Sequence, residues 1–243
     1  MRLAVPEQFQ RGHHRKGEFA ARSAVALLEY VAQHFGRESL SDVEMLDVGC
    51  GTKFTQAFLN DGVAIRRYVG VDVYREMIEF LQSSVDDPRF AYRHLDAYNE
   101  RYNPTGVRLD ETARLPLAAD GADRFDLITL FSVFTHLDPH DYVMMLRLMR
   151  PHVKPDGRLF FSLYLDERSD GGHGLMDGIA RSLGDGAVGV TDRYRDLKPE
   201  SPLEWPLYTR AYALELIEGS GWEVERIDPP TEYVQHHVTC RPV

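Results

Sequence analysis

The sequence predicts an α/β protein built on a doubly wound sheet of seven mostly parallel strands, with an antiparallel last strand and a cap-like insertion. Apolar runs of strand length alternate with segments of helical spacing through the first two thirds of the chain. Residues 125–131 form a mostly apolar run, as expected for a strand covered on both faces. The last two runs are joined by a short link at 228–230 that contains two prolines. Such a link suits a hairpin, so we expect the final strand to be antiparallel.

The first half of the chain supplies three strands and three helices in alternation. Apolar residues at helical spacing predict a helix over 17–35. The elements predicted after it are a strand at 43–48, a helix at 53–60, a strand at 68–72, a helix at 74–83 and a strand at 89–94. Gly62 follows Asp61 where the second helix should stop.

The second half begins with the fourth strand, and its next helix has a clear start signal. Asp138 suits the N-cap position and Pro139 the first helical position, and the helix should end before Pro151. Residues 155–157 read as a turn into a fifth strand at 158–164. Residues 166–209 are rich in Gly, Asp and Arg and predict an insertion over one end of the sheet. The remaining predicted elements are a helix at 209–218 and strands at 222–227 and 233–240.

Composition and charge narrow the classes of protein. A chain of 243 residues with 43% hydrophobic content suits one domain, with an N-terminal arm and helix over 1–36 and the insertion at 166–209. A net charge of −10 argues against a nucleic-acid partner. Two cysteines do not suggest a disulfide framework, and no apolar run is long enough to span a membrane. We therefore expect a soluble, cytoplasmic protein with no membrane span.

A glycine turn and a later carboxylate point to a nucleoside site. Residues 44–53 read as a buried strand that runs into a turn over 49–51 and then a helix. Asp72 follows Gly51 by 21 residues, at the end of the next apolar run. Glycines let the backbone approach a ligand closely, and a carboxylate at this place accepts hydrogen bonds from a ribose.

Four segments in this order carry a resemblance to a known family. They are Leu46-Asp47-Val48-Gly49-Cys50-Gly51, then Gly70-Val71-Asp72, then Phe125-Asp126-Leu127-Ile128 with Ser132-Val133-Phe134-Thr135-His136-Leu137, and residues 148–159. Together they resemble the class I S-adenosylmethionine-dependent methyltransferases, over residues 40–165 and, as a pattern, over 209–243. The resemblance implies the Rossmann-like methyltransferase fold, with S-adenosyl-L-methionine as cofactor and S-adenosyl-L-homocysteine (SAH) as product.

The resemblance also implies roles for the residues of the turn. Gly49, Cys50 and Gly51 would face the methionine part of the cofactor, and Asp47 would orient its amino end. A third glycine is common in this family where the chain has Lys53. Lys53 could reach the cofactor carboxylate or point to solvent, and we favour solvent.

Further cofactor contacts are implied at the ends of the later strands. Asp72 would bind both ribose hydroxyls, with Val73 beside it. Asp96 and Ala97 occupy the place of an adenine contact. Phe131 and Ser132, after the fourth strand, would line the donor methyl group.

A dinucleotide-binding dehydrogenase is the rival interpretation of the glycine turn. Its fingerprint requires a small residue three positions after the second glycine, where this chain has Phe54. Asp47 just before the glycines does not belong to that fingerprint either. We therefore favour the methyltransferase.

His136 is the candidate general base. It follows the fourth strand at the carboxyl end of the sheet, where open α/β folds bind ligands, and a neutral imidazole suits proton removal from a hydroxyl. Its alternative role is to pack against the following helix. His140 is expected to be exposed, and His173 in the insertion could close over a substrate.

No metal site is favoured. Asp166, Glu167 and Asp170 could bind a magnesium ion that chelates a diol, but a solvated acidic loop is the simpler interpretation. His236 and His237 are neighbours on a strand and so point to opposite faces. The basic cluster Arg11 to Lys16 could hold an anionic substrate or the cofactor carboxylate, or form a solvated arm. The aromatic residues of the insertion could bind an acceptor or form a small core: Tyr164, Tyr194, Trp205 and Tyr208.

We expect an O-methyltransferase that acts on a hydroxyl of a small molecule, sugar or glycan. A base such as His136 suits a hydroxyl acceptor, because a protonated hydroxyl is a poor nucleophile. The stretch 132–136 is loosely similar to bacterial methyltransferases of glycans or natural products. The alternatives are an N-methyltransferase of a small amine and a non-catalytic cofactor-binding module. The sequence leaves the acceptor and the oligomeric state open.

Overall fold

A computed structural model of the protein describes residues 2–10, 17–117, 123–166, 193–196, 205–230 and 235–243. Its contacts divide the chain into two compact units. The first comprises residues 1–108 and 115–129, and the second comprises residues 109–114 and 130–243. The prediction of one methyltransferase domain over 1–243 stays a prediction, and each unit is described by itself.

The first unit is a parallel sheet with connecting helices. Its elements are α1 (Gly17–His34), β1 (Glu44–Val48), α2 (Lys53–Asn60), β2 (Arg67–Asp72), α3 (Arg75–Ser84), β3 (Phe90–His94) and β4 (Phe125–Leu130), whose last residue falls in the second unit. The strand order is β3-β2-β1-β4, and all three pairings are parallel. Every one of these elements lies within two residues of its predicted bounds.

The N-terminal segment 2–10 packs onto this first unit. The backbone N–H of Leu3 donates to the Asn60 side chain at 2.7 Å, and the Asn60 amide donates back to the Leu3 carbonyl at 2.9 Å. Phe9 is buried and its ring contacts those of Tyr74 and Phe80. The basic cluster that follows, residues 11–16, lies outside the described residues.

The second unit contains the antiparallel end of the fold. Its elements are α4 (Pro139–Met149), β5 (Val153–Leu165), β6 (Tyr194–Asp196), β7 (Pro206–Tyr208), α5 (Arg210–Ile217), β8 (Trp222–Asp228) and β9 (His236–Pro242). Strand β9 is antiparallel to both β5 and β8, and β7 is parallel to β5. The predicted fold class, with its antiparallel last strand, is confirmed.

Three details differ from the sequence-based expectation. Strand β5 begins at Val153, so residues 155–157 lie inside the strand and do not form a turn before it. Two three-residue strands, β6 and β7, lie within the predicted insertion and add to the seven expected strands. Tyr208 is fully buried, whereas Trp205 is half-buried against the ring of Tyr164. In the described part of the chain, no helix is long and apolar enough to cross a membrane.

Candidate functional site

The glycine turn after β1 is tied to the end of β2 by backbone hydrogen bonds. Gly49 and Gly51 have φ angles of 73° and 51°, in the left-handed region that glycine adopts without strain. The N–H groups of Gly49 and Cys50 both donate to the Val71 carbonyl, at 2.8 and 3.1 Å. The turn therefore has a fixed position relative to the residue that follows Val71, which is Asp72.

Asp72 is held on both of its oxygens by backbone N–H groups. Oδ2 accepts from Gly51 at 3.0 Å, and Oδ1 accepts from Tyr74 at 2.9 Å. A carboxylate offers about four acceptor positions, so further lone pairs remain for a ligand. The residue is only 3% exposed. The carboxylate is thus an acceptor that is already oriented and largely withdrawn from water.

Space is open on one side of the turn and closed on another. A Cβ added at Gly51 would meet no atom within 4 Å. A Cβ added at Gly70 would lie 3.0 Å from both the Cys50 Sγ and the Tyr92 ring. The open face at Gly51 fits the close approach of a ligand to the backbone. Cys50 is buried in the closed part and serves as a small packing residue.

Asp47 is a buried carboxylate with two hydroxyl partners. Its Oδ1 accepts from the Thr129 hydroxyl and its Oδ2 from the Tyr68 hydroxyl, each at 2.7 Å. Burial raises the pKa of Asp47 to about 6, the negative charge of Asp72 adds to the increase, and the two hydrogen bonds oppose it. Asp47 therefore carries its charge at neutral pH at a cost to folding.

The segment after β3 is organised by Asn103. Its amide donates to the Asp96 carboxylate and to the Ala97 carbonyl, each at 3.0 Å. Asp96 is exposed and Ala97 is buried. Val73, half-buried after Asp72, shares a hydrogen bond between its carbonyl and the His94 ring at 3.1 Å. The structure thus joins the turn directly to Asp72, while Asp96 and Ala97 belong to a neighbouring loop.

Sequence reasoning missed the residues that support the two carboxylates. Tyr68 and Thr129 hold Asp47, and the only sequence signal for them is a polar group within an apolar strand. Tyr74 supplies an N–H to Asp72, and its ring stacks with that of Tyr102 at 6.0 Å. The position of Tyr74, two residues after Asp72, could have suggested the Asx turn that it forms.

In the second unit, Ser132 follows β4 in a strained conformation. Its φ of 57° is the single positive value at a non-glycine position among the described residues. Its N–H donates to the Ser162 hydroxyl at 2.8 Å, and both serine hydroxyls donate to the side-chain oxygen of Gln235. Phe131 is half-buried against the ring of His237.

The histidines of the second unit occupy different environments. His136 is half-buried and ends a short 3₁₀ helix, Phe134–His136, that follows β4. His140 is exposed, as expected, and shares a hydrogen bond between its Nε2 and the Leu109 carbonyl. His236 is buried and His237 half-buried, as neighbours on opposite faces of β9 should be. His173 lies outside the described residues.

Lys53 is the first residue of α2, and it combines exposure with a specific contact. The residue is exposed, but its ammonium donates to the Ser23 hydroxyl of α1 at 3.1 Å. Partial burial of the ammonium group lowers the pKa of Lys53. Lys53 is thus exposed, as the solvent-facing interpretation expects, but its ammonium group also contacts α1.

No cluster of three or more potential metal ligands occurs in the part of the chain that the structure describes. Of the three carboxylates considered for magnesium, Asp166 is half-buried, and Glu167 and Asp170 lie outside the described residues. The magnesium hypothesis is therefore untested.

Comparison with known proteins gives one family match and a set of similar folds. A family model described as a methyltransferase domain matches residues 12–227. Magnesium protoporphyrin IX methyltransferase from Synechocystis PCC 6803 with bound SAH has a TM-score of 0.56 at 13% identity, over 96% of this chain and 89% of that one. An S-adenosylmethionine-dependent methyltransferase from Mesorhizobium loti has a TM-score of 0.56 at 15% identity, over 90% of this chain and 99% of that one. The mitomycin 7-O-methyltransferase has a TM-score of 0.53 at 20% identity, over 97% of this chain and 59% of that one.

Proposed function

Since this chain belongs to the family of methyltransferase domains, we propose that it transfers a methyl group from S-adenosyl-L-methionine to a hydroxyl of a small molecule, sugar or glycan. The observation that carries the cofactor assignment is the hydrogen bond from the Gly51 N–H to the Asp72 carboxylate. It joins a glycine turn with an open face to an oriented acceptor for a ribose.

The first unit would hold the cofactor. Asp72 would accept from the ribose hydroxyls, and Val73, Asp96 and Ala97 would contact the adenine end. The backbone at Gly49, Cys50 and Gly51 would face the methionine end, with Asp47 opposite its ammonium group. The bound cofactor supplies a methyl group that its sulfonium has already activated, so the protein needs mainly to align an acceptor and exclude water.

Three residues that follow β4 are our candidates for the groups that act on the acceptor. His136, which is half-buried, is our candidate for removing the proton from the hydroxyl during attack. Phe131 and Ser132 would line the reacting position. O-methylation is favoured by this base and by the likeness in fold to the mitomycin 7-O-methyltransferase.

Calorimetry with SAH tests the cofactor assignment. Asp72→Ala removes both acceptor oxygens and should weaken SAH binding at least tenfold, since hydrogen bonds to a charged group contribute roughly 1.5–3 kcal/mol each. Asp86→Ala changes an exposed aspartate and serves as the matched control. Equal affinity of the wild-type protein and Asp72→Ala for SAH would refute the ribose assignment.

Assays of SAH formation by the wild-type protein distinguish the two alternatives, a cofactor-binding module and an N-methyltransferase. A cofactor-binding module would bind SAH but release none when S-adenosylmethionine is supplied with a panel of sugars, phenols and amines. An N-methyltransferase would release SAH with amines alone. For an O-methyltransferase that uses His136, His136→Ala should keep its SAH affinity and lose most of its turnover. Retention of wild-type turnover would exclude His136 as the base.

A further inference from the structure

Lys53 is the first residue of α2, directly after the glycine turn, and its ammonium has a defined contact in the structure. It lies two residues after Gly51, whose open side fits a ligand at the backbone. The residue is exposed, and its ammonium donates to the hydroxyl of Ser23 at 3.1 Å. Ser23 itself is buried, so the contact anchors the ammonium beside α1.

The charge of Lys53 has no acidic counterpart within its own helix turn. The first turn of α2 contains no acidic residue, and Thr52 at the N-cap makes no side-chain cap there. An ammonium group has three N–H donors, and among the described residues Ser23 accepts one of them. Within that part of the chain, two donors remain for an anion that approaches the turn.

The methionine end of the proposed cofactor carries one ammonium and one carboxylate group. Asp47 supplies a negative charge at the base of the turn, where β1 ends, and suits the ammonium. A cation on the helix side of the turn would complete a pair of opposite charges that matches the ligand. Among the described residues, Lys53 is a cationic residue at the start of the helix that follows the turn.

We propose that Lys53 binds the α-carboxylate of the cofactor, and that Ser23 positions its ammonium for that contact. This inference rests on the proposed function, because it assigns a residue of the same cofactor site. It also gives α1 a part in binding, through the hydroxyl of Ser23.

The test compares two ligands that differ at the methionine end. SAH has the α-carboxylate, and 5′-methylthioadenosine lacks both the carboxylate and the amino group. Calorimetry should show that Lys53→Gln binds SAH about tenfold to a hundredfold more weakly than the wild-type protein, as expected for a lost charge-assisted hydrogen bond. Binding of 5′-methylthioadenosine should stay within about twofold of wild type.

Two further variants sharpen the result. Ser23→Ala should weaken SAH binding by a smaller factor and leave 5′-methylthioadenosine unaffected, because it frees the ammonium without removing it. Lys154→Gln removes a lysine of β5 and should change neither affinity. Thermal unfolding of each variant without ligand shows whether its fold is retained.

The outcomes separate this inference from the function on which it rests. An equal loss of affinity for both ligands in Lys53→Gln, or no loss for either, would overturn the role of Lys53 alone. A wild-type protein that binds neither ligand would overturn the cofactor site as a whole. Selective loss of SAH binding supports the proposal.

Discussion

Asp47 holds a negative charge in a place where almost no water can stabilise it. Two hydroxyl groups compensate in part, yet the pKa of the carboxyl stays near 6, above an ordinary value of about 3.9. The folded state thus binds a proton more tightly than the unfolded state between these values. Folding stability from this group is greatest below about pH 4, falls as the pH rises through the window, and reaches its lowest contribution above pH 6.

Replacing Asp47 by Asn should therefore separate stability from binding. At pH 7.5 we expect Asp47→Asn to have a higher free energy of unfolding than the wild-type protein, by up to about 3 kcal/mol from a shift of about two pKa units. The same variant should bind SAH more weakly, because the proposed partner of the ligand ammonium has lost its charge. Urea unfolding and calorimetry measure the two effects.

The pH dependence supplies the control for this prediction. Below about pH 4 both forms are uncharged at residue 47, so the difference in unfolding free energy should become small. A difference that stays constant from pH 4 to 8 would show that it arises from packing and not from the buried charge.

Gly51 and Gly62 form a matched pair for the open face of the turn. Both have positive φ angles, 51° and 75°, and neither would bring an added Cβ within 4 Å of another atom. Alanine at either position should cost about 1–2 kcal/mol of stability, the strain of a left-handed backbone. Only Gly51→Ala should also weaken SAH binding, because its methyl group enters the space assigned to the ligand. Equal SAH affinities in the two variants would contradict that assignment.

At the scale of elements, β2 and the glycine turn are packed too closely for a side chain at Gly70. Gly70→Ala would press a methyl group against the Cys50 Sγ and the Tyr92 ring, each at 3.0 Å. We expect a loss of about 1–3 kcal/mol in unfolding free energy, together with weaker SAH binding as the turn moves. Cys50→Ala in the same chain should restore part of both.

A double-mutant cycle for Gly70 and Cys50 tests whether the methyl group added at residue 70 destabilises the protein through Cys50. A coupling energy near zero would mean that Cys50 does not transmit the overpacking and that Tyr92 alone meets the added methyl group.

Helix α4 begins with a cap that the sequence announces. The Asp138 carboxylate accepts from the Asp141 N–H at 2.9 Å, and Pro139 occupies the first turn. Asp138→Ala should lower the unfolding free energy by about 1 kcal/mol, and Asp138→Asn, which keeps an acceptor, by less. Equal losses in the two variants would show that the cap hydrogen bond is not the source of the stability.

The bounds of elements with strong local sequence signals could be predicted closely. The bounds of strands that depend on pairing with a distant strand could not. The cap at Asp138 and the alternation before it set α4 and the first four strands within two residues. Strand β5 begins at Val153, before a proline and a glycine that locally suggest a turn. Its long pairing with β9 covers residues 159–163, and strand partners are not visible in one segment. The same reason hid β6 and β7, which are only three residues each.

At the scale of the whole molecule, the same limit decides which site residues could be predicted. The turn and Asp72 are readable because strand ends and glycines mark them in order along the chain. Tyr68 lies on β2 and Thr129 on β4, the two strands that flank β1, and both side chains donate to Asp47. The alignment of these strands depends on the pairing of the sheet and is not visible in any one segment. Gln235, which holds Ser132 and Ser162, is 103 and 73 residues away from them.

Hydrogen exchange with SAH would test the assigned site across the chain in one experiment. Amides in peptides spanning 47–53 and 70–76 should exchange more slowly when SAH is bound, because the ligand would hold the turn and Asp72 together. Peptides spanning 131–137 should also slow if Phe131 and Ser132 line the bound ligand. Peptides from 222–228, in β8, are the internal control. The exchange rates of their locally opening amides should be nearly the same with and without SAH.

The pattern of protection distinguishes the two parts of the assignment. Protection at 47–53 and 70–76 alone would keep the ribose and methionine contacts and remove Phe131 and Ser132 from the site. Asp72→Ala should reduce protection at both segments at the same subsaturating SAH concentration, since it removes the acceptor proposed for the ribose and the partner of the Gly51 N–H. Unchanged protection in Asp72→Ala would refute Asp72 as the acceptor for the ribose hydroxyls, because the ligand would then bind at the turn without it.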